Sequence, residues 1–237
     1  MADSSVDGRG RPGAAGSGPG CGYGWFCRWA ERHGAQRLLG IDNSQKMLDK
    51  ALSMTDSSRI EYRLRDLDRL RLPAKSADLV FSSLTFHYVR HLRRLLHQIS
   101  RALAPGGRLV FSVEHPIYLA PTRPGWTLAR GRVPAWRLDG YSVEGPRLTQ
   151  WLGSRVRKQH RTIATYLNLL TEEGLSLVQL EEWRPSRRQL AAHPEWVREM
   201  QRPMFLLIAA RRLDHLHRAE DGPSLTPTGI SPTSVPS

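Results

Sequence analysis

Hydrophobic positions in the first half of the chain repeat with two alternating periods. Short apolar stretches predict four strands, at 37–42, 60–66, 77–84 and 108–115. The stretches between them have helical spacing, and helices are expected at 25–33, at about 44–54 and at 91–104. Strands connected by helices of this length form right-handed crossovers, so the pattern predicts an α/β fold with a mostly parallel sheet.

The segment 116–159 breaks this alternation. It is rich in Pro and Gly and carries the aromatic residues Tyr118, Trp126, Trp136, Tyr141 and Trp151. A long segment without regular periodicity inside a domain is usually a lid or a binding loop, so we expect a lid or substrate segment here. The rings could form the wall of a pocket for a flat or cationic substrate, or they could be packing for the lid.

Regular patterns resume after this lid segment and close the domain. A helix is expected at 160–173, and two strands are expected at 175–183 and 202–212, with a short helical piece near 186–196 between them. Together with the first half, these elements make one domain from 21 to 213.

Both ends of the chain have a different composition. Residues 1–20 are mostly Gly, Pro, Ala, Ser and charged residues, and the stretch 214–237 is similar. Such segments bury too little apolar surface to offset the entropy lost on ordering. We therefore expect a disordered or aberrant leader at 1–20 and a disordered tail at 214–237.

Composition narrows the class of protein. Of 237 residues, 40% are hydrophobic, which is enough for one sizeable core, but no apolar run approaches the roughly 18 residues of a membrane span. The first residues lack the apolar stretch of a secretion signal, so a cytoplasmic location is expected. Cys21 and Cys27 are too few for a disulfide scaffold or a structural zinc site, and no metal is expected.

The net charge of +13 raises the question of nucleic-acid binding. The basic residues are 31 Arg and four Lys, scattered along the chain without a dense block. A nucleic-acid surface should concentrate them on one face, so a small-molecule substrate is preferred. An RNA substrate remains an alternative, with the Arg excess as its support.

Three turns that carry glycine or an acid fall at the carboxyl ends of successive predicted strands, where ligands bind in an open α/β sheet. The first contains Gly20, Gly22 and Gly24 and opens a helix, so its backbone N–H groups are available to a carboxylate. Asp42 is placed to accept hydrogen bonds from both hydroxyls of a ribose, and Asp66 can accept one from an adenine amino group. Each feature alone is weak, since a glycine turn can be only a turn and such an acid is often a helix cap. Their order and spacing together are much stronger.

The segments CGYGWF, LLGIDNSQKML, RDLDRLRLP, ADLVFSSLTFHYV and LAPGGRLVFSVEHP, in that order, resemble class I S-adenosylmethionine-dependent methyltransferases of the small-molecule, type 11-like group. The resemblance is specific over residues 20–115 and looser over 116–212. It implies a Rossmann-like three-layer αβα sandwich with a seven-stranded sheet of order 3-2-1-4-5-7-6, whose last strand is antiparallel. It also implies S-adenosyl-L-methionine as cofactor and a small-molecule acceptor as partner.

The same resemblance implies a cofactor site built from four turns at the carboxyl edge of the sheet. The methionine part would face Gly20, Cys21, Gly22 and Gly24, the ribose would lie at Asp42 and Asn43, the adenine would lie at Asp66 and the backbone of Leu67, and Ser82 and Ser83 would border the methionine and the substrate.

One position departs from the family. Its members precede the glycine turn with an apolar strand that ends in an acid, whereas this chain has GAAGSGPG at 13–20, with Gly18 in the place of the acid. Gly and Pro are poor residues for a central strand, so the first strand is expected to be frayed or missing. A Val/Leu-rich replacement of 13–19 with Asp at position 18 should then raise stability and cofactor affinity. A catalytically impaired remnant of the fold is therefore an alternative to an active enzyme.

A nicotinamide dinucleotide is the competing cofactor. Its fingerprint is G-x-G-x-x-G, whereas Gly20, Gly22 and Gly24 give G-x-G-x-G, and Cys27 stands where a third glycine would be needed. The glycine spacing therefore favours S-adenosylmethionine.

Alignment of the acceptor with the methyl group supplies most of the catalysis in an in-line displacement, and a base is needed only when the acceptor atom is protonated. The catalytic candidates are His87, after the fourth strand, and Glu114 and His115, which end the fifth. All three should point toward the cleft. The alternative is that His87 packs under a loop and Glu114 caps a turn. His160 ranks lower because it could be only a helix cap.

Overall fold

The computed structural model describes residues 14–128, 134–151 and 153–213. Within them the strands are β1 (Ala15–Pro19), β2 (Arg37–Asp42), β3 (Ile60–Leu64), β4 (Ala77–Ser83), β5 (Leu103–Glu114), β6 (Trp126–Leu128), β7 (Pro134–Trp136), β8 (Gly145–Trp151), β9 (Ser154–His160), β10 (Leu175–Glu182) and β11 (Phe205–Arg212). The helices are α1 (Trp25–Arg32), α2 (Gln45–Ser53), α3 (Leu92–Ala102), α4 (Pro116–Leu119), α5 (Ile163–Glu172) and α6 (Arg187–Ala192). Short 3-10 helices cover Leu67–Arg69, Phe86–Tyr88 and Pro194–Met200.

Seven of these strands form one sheet, in the order β10-β11-β5-β4-β1-β2-β3. Neighbours from β5 to β3 pair in parallel, while β11 runs antiparallel to both β5 and β10. Numbered along the chain within this sheet, the strand order is 3-2-1-4-5-7-6, as the family resemblance implied. The α/β fold with a mostly parallel seven-stranded sheet is therefore confirmed.

Apolar residues on the two faces of the sheet form two separate cores. One core joins Val80 of β4 to residues of α3 and α5. The other joins Phe26 of α1 to Leu38 of β2, with Leu79 and Phe81 packed against it. Side chains alternate between the faces of a strand, and Val80 lies between Leu79 and Phe81 in sequence, so helices cover both sides of the sheet. This is the three-layer sandwich that the resemblance implied.

The first strand is formed and lies inside the sheet. β1 pairs with β2 from Ala15 to Pro19 and with β4 at Gly16 and Ser17. The expectation of a frayed or missing first strand is therefore wrong, and the domain begins within the segment 1–20 that was expected to be a leader. Residues 1–13 and the expected tail at 214–237 lie outside the described residues.

Neighbouring side chains fill the space that small residues leave on β1. A Cβ atom built on Gly16 would lie 2.7 Å from Cδ2 of Leu38, so the glycine makes room for this leucine. The ring of Phe26 lies beside both Gly16 and Gly18, and it stacks on Phe81 with ring centroids 4.6 Å apart. The bulk that a central strand normally carries is thus supplied by α1, β2 and β4.

A polar contact also fixes the start of β1. The N–H of Ala15 donates to Oδ2 of Asp78 in the neighbouring strand β4, at 2.9 Å. The strand is therefore held by its backbone ladder and by one side-chain acceptor, neither of which requires apolar side chains of its own.

The lid segment contains regular structure that its sequence pattern did not reveal. β6 and β7 form one antiparallel hairpin, and β8 and β9 form a second. In β9 the residues Val156, Lys158 and His160 alternate with more exposed ones, but two of these three are polar. The sequence of β9 therefore shows no alternation of apolar and polar residues, because its less exposed side carries polar side chains, one of them a lysine.

The boundaries of two predicted elements differ from expectation. The last long helix, α5, begins at Ile163 and not at His160, because β9 continues to that histidine and Thr162 caps the helix by accepting from the N–H of Thr165 at 3.2 Å. The sequence Pro105-Gly106-Gly107 lies within β5, where the pairing with β4 changes register. Neither difference alters the topology.

Among the described helices, none is long and apolar enough to cross a membrane. In the same residues, no three His, Cys, Asp or Glu side chains are grouped so that they could hold a metal ion.

Candidate active site

The glycine turn connects β1 to α1 and is fixed against the neighbouring strands. The N–H groups of Gly20 and Cys21 both donate to the carbonyl oxygen of Ile41, at 2.7 and 2.9 Å. Gly24 has a φ of 72°, and a Cβ atom built on it would lie 2.0 Å from the hydroxyl oxygen of Tyr62. A side chain at this position is therefore opposed both by the backbone conformation and by the close approach of β3.

Asp42, at the end of β2, joins the glycine turn to the start of α2. Its Oδ2 atom accepts a hydrogen bond from the N–H of Gly22 at 2.8 Å, and its Oδ1 atom accepts one from the N–H of Ser44 at 3.0 Å. Each carboxylate oxygen has further lone pairs, so both can also accept from a hydroxyl. Asn43 is exposed beside it. This arrangement suits a ligand with two adjacent hydroxyls.

Asp66 follows β3 and begins a 3-10 helix. Its Oδ1 atom accepts from the N–H of Asp68 at 2.9 Å, as a helix cap does. The chain leaving β3 is tied to β2, because the N–H of Arg65 donates to the carbonyl oxygen of Asp42 at 2.9 Å. Asp66 is exposed and Leu67 is buried, so the Asp66 carboxylate caps the helix and is accessible to a ligand at the same time.

Ser82 and Ser83 end β4, and both hydroxyls lie against the protein. The Ser82 hydroxyl is buried and donates to the carbonyl oxygen of Pro19 at 2.7 Å, while that of Ser83 lies 3.3 Å from Oγ of Ser112. Thr85, which sequence reasoning missed, donates to the carbonyl oxygen of Ser83 at 3.0 Å. Its only signal was its position just beyond β4. These contacts join β4 to both neighbouring strands at the edge of the cleft.

Taken together, these turns fit a cofactor that carries a carboxylate and a ribose. Apart from its neighbours in the chain, no described residue has an atom within 4 Å of a Cβ atom built on Gly22, so the turn borders open space there. The N-terminus of α1 offers backbone N–H groups to an anion directly after the turn. Asp42 supplies hydroxyl acceptors on the same side, since it is already bonded to the Gly22 N–H.

His87 lies in the 3-10 helix after β4 and is buried. Its Nδ1 atom accepts a hydrogen bond from the N–H of Glu114 at 3.2 Å. Burial, followed by the positive charges of Lys158 and Arg161, lowers the pKa of His87 to about 3. The ring is therefore neutral at ordinary pH with this nitrogen occupied. It packs beneath the loop, and the geometry does not support the predicted role as a base.

His115 is buried and uses both of its ring nitrogens. Nδ1 accepts from the N–H of Ile117 at 3.0 Å and so caps α4, which leaves the proton on Nε2 to be donated to Oε1 of Glu182 at 2.9 Å. Burial lowers the pKa of His115, while the hydrogen bond and charge of Glu182 oppose the shift. No ring lone pair remains for a substrate, so the geometry does not support a catalytic role for His115.

Glu114 keeps one carboxylate oxygen unused. It is buried, and its Oε1 atom forms an ion pair with Nζ of Lys158 at 2.5 Å. Its Oε2 atom is also buried and has no hydrogen-bond partner in the described part of the chain. Sequence reasoning missed Lys158, because a single lysine in a segment without a clear period carries no signal of its own.

Another buried cation, Arg161, follows directly after β9. Its Nη2 atom donates to the carbonyl oxygen of Val89 at 2.7 Å, which ties the end of β9 to the loop after β4. His160, beside it, donates from Nε2 to the carbonyl oxygen of Tyr141 at 2.8 Å. His160 therefore contacts the segment before β8 and is not the cap of α5.

Comparison with known proteins assigns the family. A family model described as "Methyltransferase domain" matches residues 18–111. The crystal structure of an S-adenosylmethionine dependent methyltransferase from Mesorhizobium loti is 48% identical in sequence, and the match covers 86% of this chain and 92% of that one with a TM-score of 0.82. The chain belongs to the S-adenosylmethionine-dependent methyltransferases. Its cofactor is S-adenosyl-L-methionine, as the glycine spacing favoured.

Two curated relatives match this chain over different lengths. A protein of Haemophilus influenzae is 32% identical over 207 residues, which are 82% of this chain and 80% of that protein. The malonyl-[acyl-carrier protein] O-methyltransferase of Serratia marcescens is 35% identical over 94 residues, which are 39% of this chain and 35% of that protein. The second likeness thus spans about a third of the relative and leaves most of its length unmatched.

Three rings of the lid segment surround Arg202, which precedes β11. The guanidinium carbon lies 4.5 Å from the ring centre of Tyr118, 5.2 Å from that of Trp126 and 4.3 Å from that of Trp136. Its Nη1 atom donates to Oε2 of Glu199 at 2.7 Å. We call Arg202 and the three rings the Arg202 clasp. Three of the five rings that the sequence suggested as a pocket wall therefore bind a cation of the chain itself.

Proposed function

We propose that this chain transfers a methyl group from S-adenosylmethionine to a small-molecule acceptor. The observation that carries the proposal is the hydrogen bond from the Gly22 N–H to Oδ2 of Asp42, at 2.8 Å. It joins the glycine turn and the ribose acceptor into one preformed site beside open space. Preformed contacts of this kind reduce the entropy lost when a ligand binds.

In this proposal the cofactor lies along the carboxyl edge of the sheet. The glycine turn and the N-terminus of α1 take the methionine carboxylate, Asp42 takes the ribose hydroxyls, and Asp66 with the Leu67 backbone takes the adenine. Ser82 and Ser83 fix the border between the cofactor and the acceptor. The bound cofactor supplies an activated methyl group, and the chain holds the acceptor in line with it.

The two alternatives have less support. A remnant was inferred from a missing first strand, but β1 is formed and fully paired with β2. An RNA substrate rests on net charge alone, and the Serratia marcescens relative acts, by its name, on a malonyl group held by a carrier protein. This relative therefore supports a small acceptor group over RNA.

Isothermal titration with S-adenosylhomocysteine, the product of methyl transfer, tests the proposal. We expect measurable binding by the wild type and a loss of about 1.5–3 kcal/mol on Asp42→Ala, the range for hydrogen bonds to a charged group. Asp49→Ala is the matched control, because Asp49 is an exposed carboxylate on α2 that accepts from Gln45 at 2.7 Å. Equal affinities in folded variants would remove Asp42 from the site. No binding by the folded wild type would exclude the function.

A further inference from the structure

The Oε2 atom of Glu114 is buried without a hydrogen-bond partner among the residues that the structure describes. The side chain is 8% exposed, and its other oxygen is paired with the Lys158 ammonium at 2.5 Å. A buried carboxylate oxygen without a donor is destabilising, and native proteins rarely keep one unless a ligand or a water completes it. The proposed cofactor site leaves this oxygen without a role.

Glu114 lies at the edge of the sheet where the cofactor is proposed to bind. It is the last residue of β5, and the adjacent strand β4 ends at Ser83, which pairs with Ser112 of β5. β4 in turn lies beside β1, which leads into the glycine turn. β5 is therefore two strand spacings, or roughly 10 Å, from β1, the strand that leads into this turn.

Lys158 contacts the carboxylate, and two tyrosines feel its charge. Nζ of Lys158 lies 5.7 Å from the ring centre of Tyr88. Burial first, and then the charge of Glu114, raise the pKa of both Tyr88 and Tyr118, so both phenols remain protonated near it. His87 is occupied at Nδ1 by the Glu114 N–H and offers no competing acceptor there. Oε2 is thus a buried acceptor near phenols that stay protonated.

We propose that Oε2 of Glu114 receives the hydroxyl or amine that this chain methylates, an inference that rests on the proposed function. The acceptor's oxygen or nitrogen forms a bond to the methyl carbon, the bond from that carbon to sulfur breaks, and its electron pair stays on the sulfur of S-adenosylhomocysteine. The proton that the acceptor atom loses goes to Oε2. The acceptors are therefore alcohols, phenols or amines, since an acceptor carboxylate would face the like charge of Glu114.

Sinefungin tests this inference without knowledge of the acceptor. It is an analogue of S-adenosylmethionine in which a carbon bearing a primary ammonium replaces the methylated sulfonium, so that a donor stands where the methyl group would be. We expect the wild type to bind sinefungin about tenfold more tightly than S-adenosylhomocysteine, because the ammonium lies one acceptor atom away from Oε2 and is attracted by the charge of the carboxylate. Glu114→Gln should abolish this preference and leave the affinity for S-adenosylhomocysteine within about twofold.

Glu173→Gln is the matched control, because Glu173 pairs with His97 between α5 and α3, away from the sheet edge. The inference is overturned if the wild type binds both ligands equally well, or if Glu114→Gln still prefers sinefungin. Either result leaves the proposed function unaffected. If the folded wild type binds neither ligand, the proposed function itself is overturned. If Glu114→Gln does not fold, Glu114→Asp replaces it, because aspartate keeps the charge but its shorter side chain moves the oxygen away. We expect Glu114→Asp to lower the preference for sinefungin. An unchanged preference in this variant would overturn the inference.

Discussion

Leu38 occupies the space that a side chain at position 16 would need. Its Cδ2 atom lies 2.7 Å from the Cβ position of Gly16, and the leucine is buried in the core on the α1 face of the sheet. A glycine in the interior of the sheet is usually a weakness. Here it is the complement of a large neighbour on β2.

Gly16→Val should destabilise the protein, although valine is the better strand residue. We expect the free energy of unfolding to fall by about 1–3 kcal/mol, the usual effect of overpacking a core. Gly18→Ala is the matched control, because the nearest atom to its added Cβ lies 3.4 Å away. Urea unfolding of the two variants measures the difference. A more stable Gly16→Val would restore the expectation that a Val/Leu-rich strand at 13–19 repairs the fold.

Stability should fall when the pH is lowered below 6.5, the ordinary pKa of histidine. Burial lowers the pKa of His87, His115 and His160 in the folded chain, for His87 to about 3. Below pH 6.5 the unfolded chain therefore binds protons that the folded chain does not, which favours unfolding, whereas above pH 6.5 both states are neutral. Each such histidine adds a slope of at most about 1.4 kcal/mol per pH unit.

Urea unfolding at pH 7, 6 and 5 checks this dependence. His87→Asn should reduce the slope, because asparagine does not titrate and its side-chain oxygen can still accept from the Glu114 N–H. His33→Asn is the control, since His33 is exposed and contacts the carbonyl oxygen of Trp29. The prediction fails if the slope below pH 6.5 is the same in His87→Asn as in the wild type.

Arg202→Met should loosen the lid segment. The substitution keeps an apolar side chain but removes the cation from the Arg202 clasp, so we expect the free energy of unfolding to fall by about 2 kcal/mol. Amide exchange should become faster in 117–128 and 134–136, which is the measurement that separates local loosening from global loss of stability. Arg137→Met is the control, because Arg137 forms an exposed pair with Asp139 at 3.5 Å. Unchanged exchange in Arg202→Met would show that the rings hold the segment without the cation.

The sequence predicted the elements whose hydrophobic period is regular. β2, β4 and α3 each present apolar residues at strand or helix spacing, because one side of each packs into a core. The cofactor turns were predicted from the order of their glycines and acids. The structure brings two of these residues into direct contact, since the N–H of Gly22 donates a hydrogen bond to Oδ2 of Asp42.

The parts that sequence reasoning missed depend on partners that are distant in the chain. β1 carries almost no apolar surface, so its stability could be seen only after Leu38 and Phe26 were placed beside it. Glu114 and Lys158 are 44 positions apart, and nothing local to either residue marks the pair. The geometry does not support the predicted base role of His115, because the N–H of Ile117 and the carboxylate of Glu182 occupy both of its ring nitrogens.

The composition of β1 also has a consequence during synthesis of the chain. β1 can pair with β2 soon after synthesis, but its other partner, β4, follows two strands and two helices later. During that interval one edge of β1 is exposed, and an exposed apolar edge is a template for aggregation. A strand of sequence AGSGP is a poor template, because glycine and proline disfavour intermolecular pairing. We therefore expect the unfinished domain to aggregate less before β4 is made than it would with a valine-rich first strand.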